Sequence, residues 1–204
     1  MIRGAAAAAD LSAGRKDLPS HTIDIWKLDL SAYGSVVTFA ERAAKTFTRL
    51  DIAILNAGIC PTKRVVNPST SHDEIIQVNY LFPALLIILF LLVAKAFLVD
   101  NPLPILAALD APGEAANNTT DRMFVYKLLG QYFISKLASL LPTSVAVINS
   151  ASPGSVYDSQ FSREIQSDTD KTPAGQIIKM ILRRVGNSSA VGARMITDAA
   201  IQHR

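Results

Sequence analysis

Between Leu81 and Val99 the chain reads LFPALLIILFLLVAKAFLV, a run whose one charge is Lys95 and whose one proline is Pro83. A helix that is apolar on every side can cross a bilayer or fill the middle of a core. Pro83 near the start, Lys95 near the end and the lack of a basic flank favour the core. A helix of this kind belongs at the centre of an α/β domain, which requires strands on the same chain.

The flanking sequence supplies them. Thr22 to Leu30 (TIDIWKLDL) sets apolar Ile23, Ile25 and Leu28 among polar neighbours and predicts a strand. Ser31 is the expected N-cap of a helix from Tyr33 to Thr48, where Val36, Val37, Phe39, Ala40, Ala43 and Phe47 recur at helical spacing. Asp51 to Asn56 (DIAILN) is short and almost wholly apolar, the pattern of a parallel strand covered on both faces. Ala57-Gly58 then turns the chain, and Ser71 or Asp73 opens the long helix that runs to about Val99. Residues 101–120 read as a loop, and a helix follows from about Asp121 to Leu141. Ser144 to Asn149 (SVAVIN) predicts a strand, Pro153-Gly154 a turn, and Thr172 to Gln202 two helices joined near Gly186-Asn187. The order predicts one α/β domain over residues 1–204, with a parallel sheet and right-handed crossovers.

Composition excludes several functions. Half the residues are hydrophobic, 18% are charged and the net charge is +3, with Lys and Arg scattered, so neither nucleic acid nor a membrane is the expected partner. Cys60 is the only cysteine and the three histidines, His21, His72 and His203, show no ligand spacing. No intramolecular disulfide can form and no metal site is expected. Arg3, the alanines from Ala5 to Ala9 and Asp10 do not make a signal-peptide core, so the expected location is cytoplasmic.

Five features fall in a consistent order: Asp29-Leu30 after one strand, Asn56-Ala57-Gly58 after the next, Val78-Asn79 in the following helix, Lys127 in a further helix, and Pro153-Gly154-Ser155-Val156 after the last strand. Together with the stretch WKLDLSAYGSVVTFAERAAKTFTRLDIAILNAGI, this set resembles the short-chain dehydrogenase/reductase family, in the style of members from fungal specialised metabolism. The resemblance begins near Thr22. It implies a Rossmann-like, doubly wound parallel sheet and hydride transfer between NADP(H), or NAD(H), and a carbonyl or alcohol of a small metabolite. It also implies that Asp29 lies near the adenine and that Asn56, Ala57 and Gly58 line the cofactor, with Gly58 needed for close approach. Asn79 would help hold a relay water, and Lys127 would bind the nicotinamide ribose and lower the pKa of the catalytic tyrosine. Pro153, Gly154 and Val156 would border the nicotinamide. Family dimers pair through the two long helices, so a homo- or hetero-oligomer through the counterparts here is expected.

The sequence also departs from the family pattern. No G-x-x-x-G-x-G occurs, so the first strand with its pyrophosphate-binding turn is expected to be missing. The catalytic tyrosine stands four residues before the lysine, and that position is Met123. Tyr132 to Lys136 fits Tyr-x-x-Ser-Lys by letter, but it is 21 residues before Pro153 where Met123 is the expected 30, and Tyr132 is expected to be a packing residue. Tyr126, on the same side as Met123, is the nearer substitute acid. No strand ending in a catalytic serine lies between Asp100 and Arg122, and Ser150 and Ser152 fall too late to replace it. The sheet is therefore expected to be incomplete, and the chain to stop short of the family's C-terminal segments. Three readings remain open: an impaired oxidoreductase, a non-catalytic binding or assembly partner, or a decayed product that folds poorly.

Overall fold

The structure is a computed structural model that describes residues 2–13, 22–93, 119–159, 161 and 172–202. Six helices organise them. Helix α1 is Ile2–Ala13, helix α2 is Tyr33–Thr46, and helix α3 runs through an α turn Glu74–Ile76, a π turn Gln77–Leu81 and an α stretch Phe82–Val93. Helix α4 is Thr119–Leu140, α5 is Pro173–Val185 and α6 is Ser189–Ile201. The expected loop at residues 101–120 and the end of the long helix beyond Val93 lie outside the described residues, except that Thr119 and Thr120 belong to α4.

Local chemistry sets the helix boundaries. The side chain of Asp73 accepts from the N–H of Ile75 at 3.0 Å, Thr172 accepts from Gly175 and Ser188 accepts from Val191, each satisfying one orphan donor of a first turn. Ser31 does not cap α2. The N-cap is Ala32, and the N–H and Oγ of Ser31 both donate to Asp29 Oδ1, at 2.9 and 2.6 Å. A carboxylate accepts more strongly than a helix N–H repays the hydroxyl, so Asp29 wins the serine.

The Leu81 to Val99 run is helical as far as it is described, and Glu74–Leu91 is long and apolar enough to cross a membrane. In this fold it packs against protein. Phe82 and Leu86 join Val36 and Ala40 of α2 in one core, with Leu28 and Leu30 resting on it. Ile75 and Ile76 meet Tyr126 of α4, and Leu91 meets Leu137 and Leu141 under Ala146 and Ile148. Beneath these cores, Asp73 is fully buried and its Oδ2 receives Arg64 Nε at 3.2 Å and Arg122 Nε at 3.0 Å. One carboxylate thus ties the loop before α3 to the first turns of α4.

The three expected strands do not form a sheet among the described residues. The isolated bridges there are Val66 to Asp73 and Val156 to Asn187, and no backbone hydrogen bond joins residues 22–30, 51–59 and 144–152 to one another. The strand-like alternation survives in two of the segments. Trp26, Leu28 and Leu30 are half-buried between exposed Ile25, Lys27 and Asp29, and Ala146 and Ile148 between exposed Val145, Val147 and Asn149. Each therefore rests one face on the helical layer, and Trp26 stacks on Phe47 with Arg42 over its ring. Lateral neighbours are what is missing. A ladder needs a partner about 4.8 Å away. A cavity of about 260 Å³ separates Leu28 and Leu30 from Leu50 to Ala57, and one of about 1770 Å³ separates Arg49 to Gly58 from Thr143 to Val156. Residues 51–56, expected to be covered on both faces, are exposed throughout.

Candidate functional site

The larger cavity is where the sequence motifs meet. Asn56, Ala57 and Gly58 form part of one wall, Asn79 and Tyr80 of α3 the next, Met123, Tyr126 and Lys127 of α4 the floor, and Pro153 to Val156 the opposite wall. Asp29 is not among the lining residues. Its carboxyl, held below the usual carboxylate range by the Ser31 side chain and then the Ser31 backbone N–H, serves its own turn.

Asn79 sits inside the π turn. Pro83 lacks the N–H that would close an α-helical bond onto the Asn79 carbonyl, and the widened turn is the local solution. The Asn79 side chain then clamps the loop after Gly58: its Oδ1 accepts from Ile59 N and its Nδ2 donates to Ile59 O, both at 2.8 Å. A Cβ on Gly58 would lie 3.1 Å from the Phe161 ring and 3.2 Å from Asn79 Oδ1, so a side chain there would require both to give by a few tenths of an ångström.

On α4, Met123 and Tyr126 turn the same way, into the cluster with Ile75 and Ile76. Met123 Sδ receives the Cys60 thiol at 3.2 Å, so thioether and thiol fill the position where the pattern calls for a phenol. Tyr126 is buried. Burial pushes its phenol up to about 12, Cys60 adds to the rise, and a hydrogen bond with Asn79 opposes it. A phenol displaced in that direction is a poor proton donor near neutral pH. Lys127 lines the cavity and is exposed. Tyr132 is neither packed nor in the site: it is exposed on the far side of α4, because nine residues of helix carry it round to the opposite face.

The Pro153 wall is fixed from α5 and α6. Asn187 Nδ2 donates to Pro153 O at 3.0 Å, Asn187 N donates to Ser155 O at 2.8 Å, and Tyr157 N donates to Asn187 O at 3.1 Å. Gly154 takes a φ of +70°, which a side chain would strain, and a Cβ on Gly192 would lie 2.9 Å from Pro153 Cβ. Sequence reading noted Asn187 only as a helix joint; the signal it missed is that a polar joint must place its amide somewhere. Asn187→Ala should cost about 1–3 kcal/mol, read as a lower urea midpoint with unchanged slope. A loss under about 0.5 kcal/mol would show that the wall stands without it. Ser150 is occupied otherwise, its Oγ accepting from Gln131 Nε2 at 2.7 Å.

The arrangement offers a carboxamide clamp, one amine and a close-packed glycine turn around a large cavity. Among the described residues no glycine-rich turn presents N–H groups for a pyrophosphate, and no group of three His, Cys, Asp or Glu could hold a metal. The cavity exceeds what small-molecule pockets usually enclose. Its size comes from the gap between two unpaired segments and not from a shape moulded to a ligand.

Comparison with known proteins locates the chain further. It is 36% identical over 220 residues to the short-chain dehydrogenase fogG of Aspergillus ruber, covering 97% of this chain and 62% of that protein. It is 34% identical to the short chain dehydrogenase/reductase mfmJ of Annulohypoxylon moriforme, covering 98% and 61%. The short chain dehydrogenase opdN of Penicillium oxalicum is 30% identical, with 98% of this chain and 71% of that protein covered. The chain thus spans roughly three fifths of the length of the first two curated relatives. No family model matches it, and no solved structure does.

Proposed function

The chain belongs to the short-chain dehydrogenase/reductase family, and on that premise we propose an NADP(H)-directed oxidoreductase site of fungal specialised-metabolism type whose proton-donating residue has been replaced. The family implies a Rossmann-like α/β frame. When bound, the nicotinamide cofactor would supply or accept the hydride. The chain's own residues do the rest. Asn56, Ala57 and Gly58 with Pro153, Gly154 and Val156 border the nicotinamide end, Lys127 binds its ribose, and Asn79 holds the loop between them. Asp29 meets the adenine side in this reading, and the cytoplasm is the working location. One observation carries it: a single cavity gathers Asn56 to Gly58, Asn79, Lys127 and Pro153 to Val156 around Met123, which has no ionisable proton.

The alignment with the first relative extends over 220 residues against the 204 of this chain. That supports the reading that relatives carry internal residues with no counterpart here, the serine strand among them. The site is accordingly expected to bind NADPH and to turn over a carbonyl only at trace rates. Calorimetric titration with NADPH and NADH, alongside circular dichroism, tests the first half, and a carbonyl panel followed at 340 nm tests the second. Absence of binding by a folded chain would end the enzymatic reading; vigorous turnover would end the claim of impairment.

A second reading has its own support. Phe124, Leu128 and Tyr132 form an exposed stripe four residues apart along α4. Such a stripe suits pairing with another helix, whether of a second copy or of an intact relative. Phe124→Asp with Leu128→Asp should convert any dimer seen in sedimentation to monomer; a chain that is already monomeric at all concentrations removes self-pairing from consideration.

A further inference from the structure

Phe161 carries the Pro153 wall across the large cavity to the glycine turn on the other side. The chain that leaves this wall is pinned at its root. Val156 bridges Asn187, and Tyr157 N donates to Asn187 O at 3.1 Å. Asp158 accepts from the N–H and the hydroxyl of Ser189, at 2.6 and 3.1 Å, where α6 begins. Phe161 N then donates to Ser159 Oγ at 3.1 Å. The ring that follows lines the cavity and is half-buried. Its edge stands over the backbone of Gly58: Cε2 and Cδ2 lie 3.1 and 3.6 Å from the point where a Cβ would be, and Asn79 Oδ1 lies 3.2 Å from that same point. Among the described residues Phe161 joins none of the three apolar clusters. Its seat is a glycine turn beside a carboxamide, whereas Phe82 is held among the aliphatic side chains of the α2 core.

We infer that the Phe161 ring competes with the nicotinamide ring for the Gly58 turn, so that the nicotinamide end of the cofactor enters only when Phe161 swings aside. This rests on the dinucleotide reading of the cavity given above. A glycine at a site leaves its backbone open to close approach by a flat group. Phe161 is itself a flat apolar group, and it already covers that backbone. Two rings cannot share one glycine face. The turn beneath does not depend on the ring, because Asn79 holds Ile59 through both ends of its own amide. The element that yields is therefore Phe161. A half-buried ring gives up only part of the free energy of burying a whole one, so the contact is reversible. A contact of this kind lowers the apparent affinity of a ligand by the fraction of molecules in which its site is open. The penalty falls on the nicotinamide end and spares a ligand that lacks it.

Calorimetry on the full-length chain tests this with two ligands, NADPH and 2′-phospho-ADP-ribose, which keeps the nucleotide end and has no nicotinamide. Phe161→Ala should bind NADPH about fivefold or more tightly than the natural chain, as expected of a ring that stands aside in no more than about one fifth of the molecules. Affinity for 2′-phospho-ADP-ribose should stay within about twofold, since the ring does not bar its way. Phe161→Leu keeps an apolar side chain without the flat ring and should also bind NADPH more tightly than the natural chain. It decides the matter by the same comparison if the alanine variant loses its circular dichroism spectrum. Equal NADPH affinity in all three chains would overturn the proposal and leave the dinucleotide reading standing. Weaker NADPH binding by the variants would make the ring part of the binding surface, and equal tightening of both ligands would remove the nicotinamide from the effect; either overturns the proposal. If no folded chain binds NADPH, the dinucleotide reading falls and the proposal falls with it.

Discussion

Asp73→Asn lowers the stability of the folded chain by about 3–5 kcal/mol, the largest loss expected from any single polar substitution. Asp73 is wholly buried and one of its oxygens receives two guanidinium groups, from Arg64 and from the nearly buried Arg122. The amide keeps the shape and loses the charge, so both guanidinium groups lose the carboxylate oxygen they share. Small domains are typically stable by only about 5–15 kcal/mol, and a loss of this size brings the chain close to unfolding at room temperature. Urea denaturation followed by far-ultraviolet circular dichroism measures it. Adding Arg122→Met should recover part of the loss, since an apolar side chain removes a nearly buried cation from beside the amide. A loss below about 1 kcal/mol would place the cluster with ordinary surface ion pairs and sink the claim that it holds α4 in place.

Met123→Tyr should raise carbonyl-dependent NADPH oxidation by roughly 10²–10⁴-fold over the natural chain, the range that a positioned acid commonly supplies. The side chain at this position lines the large cavity, so a phenol has room to extend. Lys127 stands one turn further along α4, where its ammonium favours the ionised phenol and makes it a better proton donor. Tyr126 cannot do this work from its own position, because burial drives its phenol in the opposite direction, to about 12. Met123→Phe is the control: it fills the same space without a proton and should leave the rate where it was. If NADPH binds to the tyrosine variant and the rate does not move, something other than the missing acid limits the chemistry.

Helices were readable from the sequence because their rules are local. The apolar spacing of Val36, Ala40 and Ala43 is the buried face of α2, Asp73 caps α3, and the joint at Gly186-Asn187 separates α5 from α6. The clustering of Asn56 to Gly58, Asn79, Lys127 and Pro153 to Val156 was readable through the order of the motifs. Other features could not be read because they depend on partners far along the chain. Arg122 reaches Asp73 across 49 residues, and nothing in either neighbourhood announces it. The pairing of the three strand-like segments, absent among the described residues, depends on distant partners in the same way. Alternation shows that a segment can lie on a helical layer, as Leu28 and Ile148 do, but not that another segment lies beside it. Pro83 bears on more than a membrane span, since its missing N–H also bears on the turn that holds Asn79.

That turn sets the phase of the helix that contains it. A π turn takes in one residue more than the regular winding, which rotates everything after it by about 100° relative to an uninterrupted α-helix. Ahead of it, Ile75 and Ile76 are aimed at α4; beyond it, Phe82 and Leu86 are aimed at α2. The extra residue therefore acts as a gear between two cores that an evenly wound helix would address at a different angle. Asn79, at the point of changeover, is locked to Ile59 from both ends of its amide. Shortening the turn by one residue would give a more regular helix and a worse protein, with the cavity wall, the α2 contact and the α4 contact no longer able to engage together.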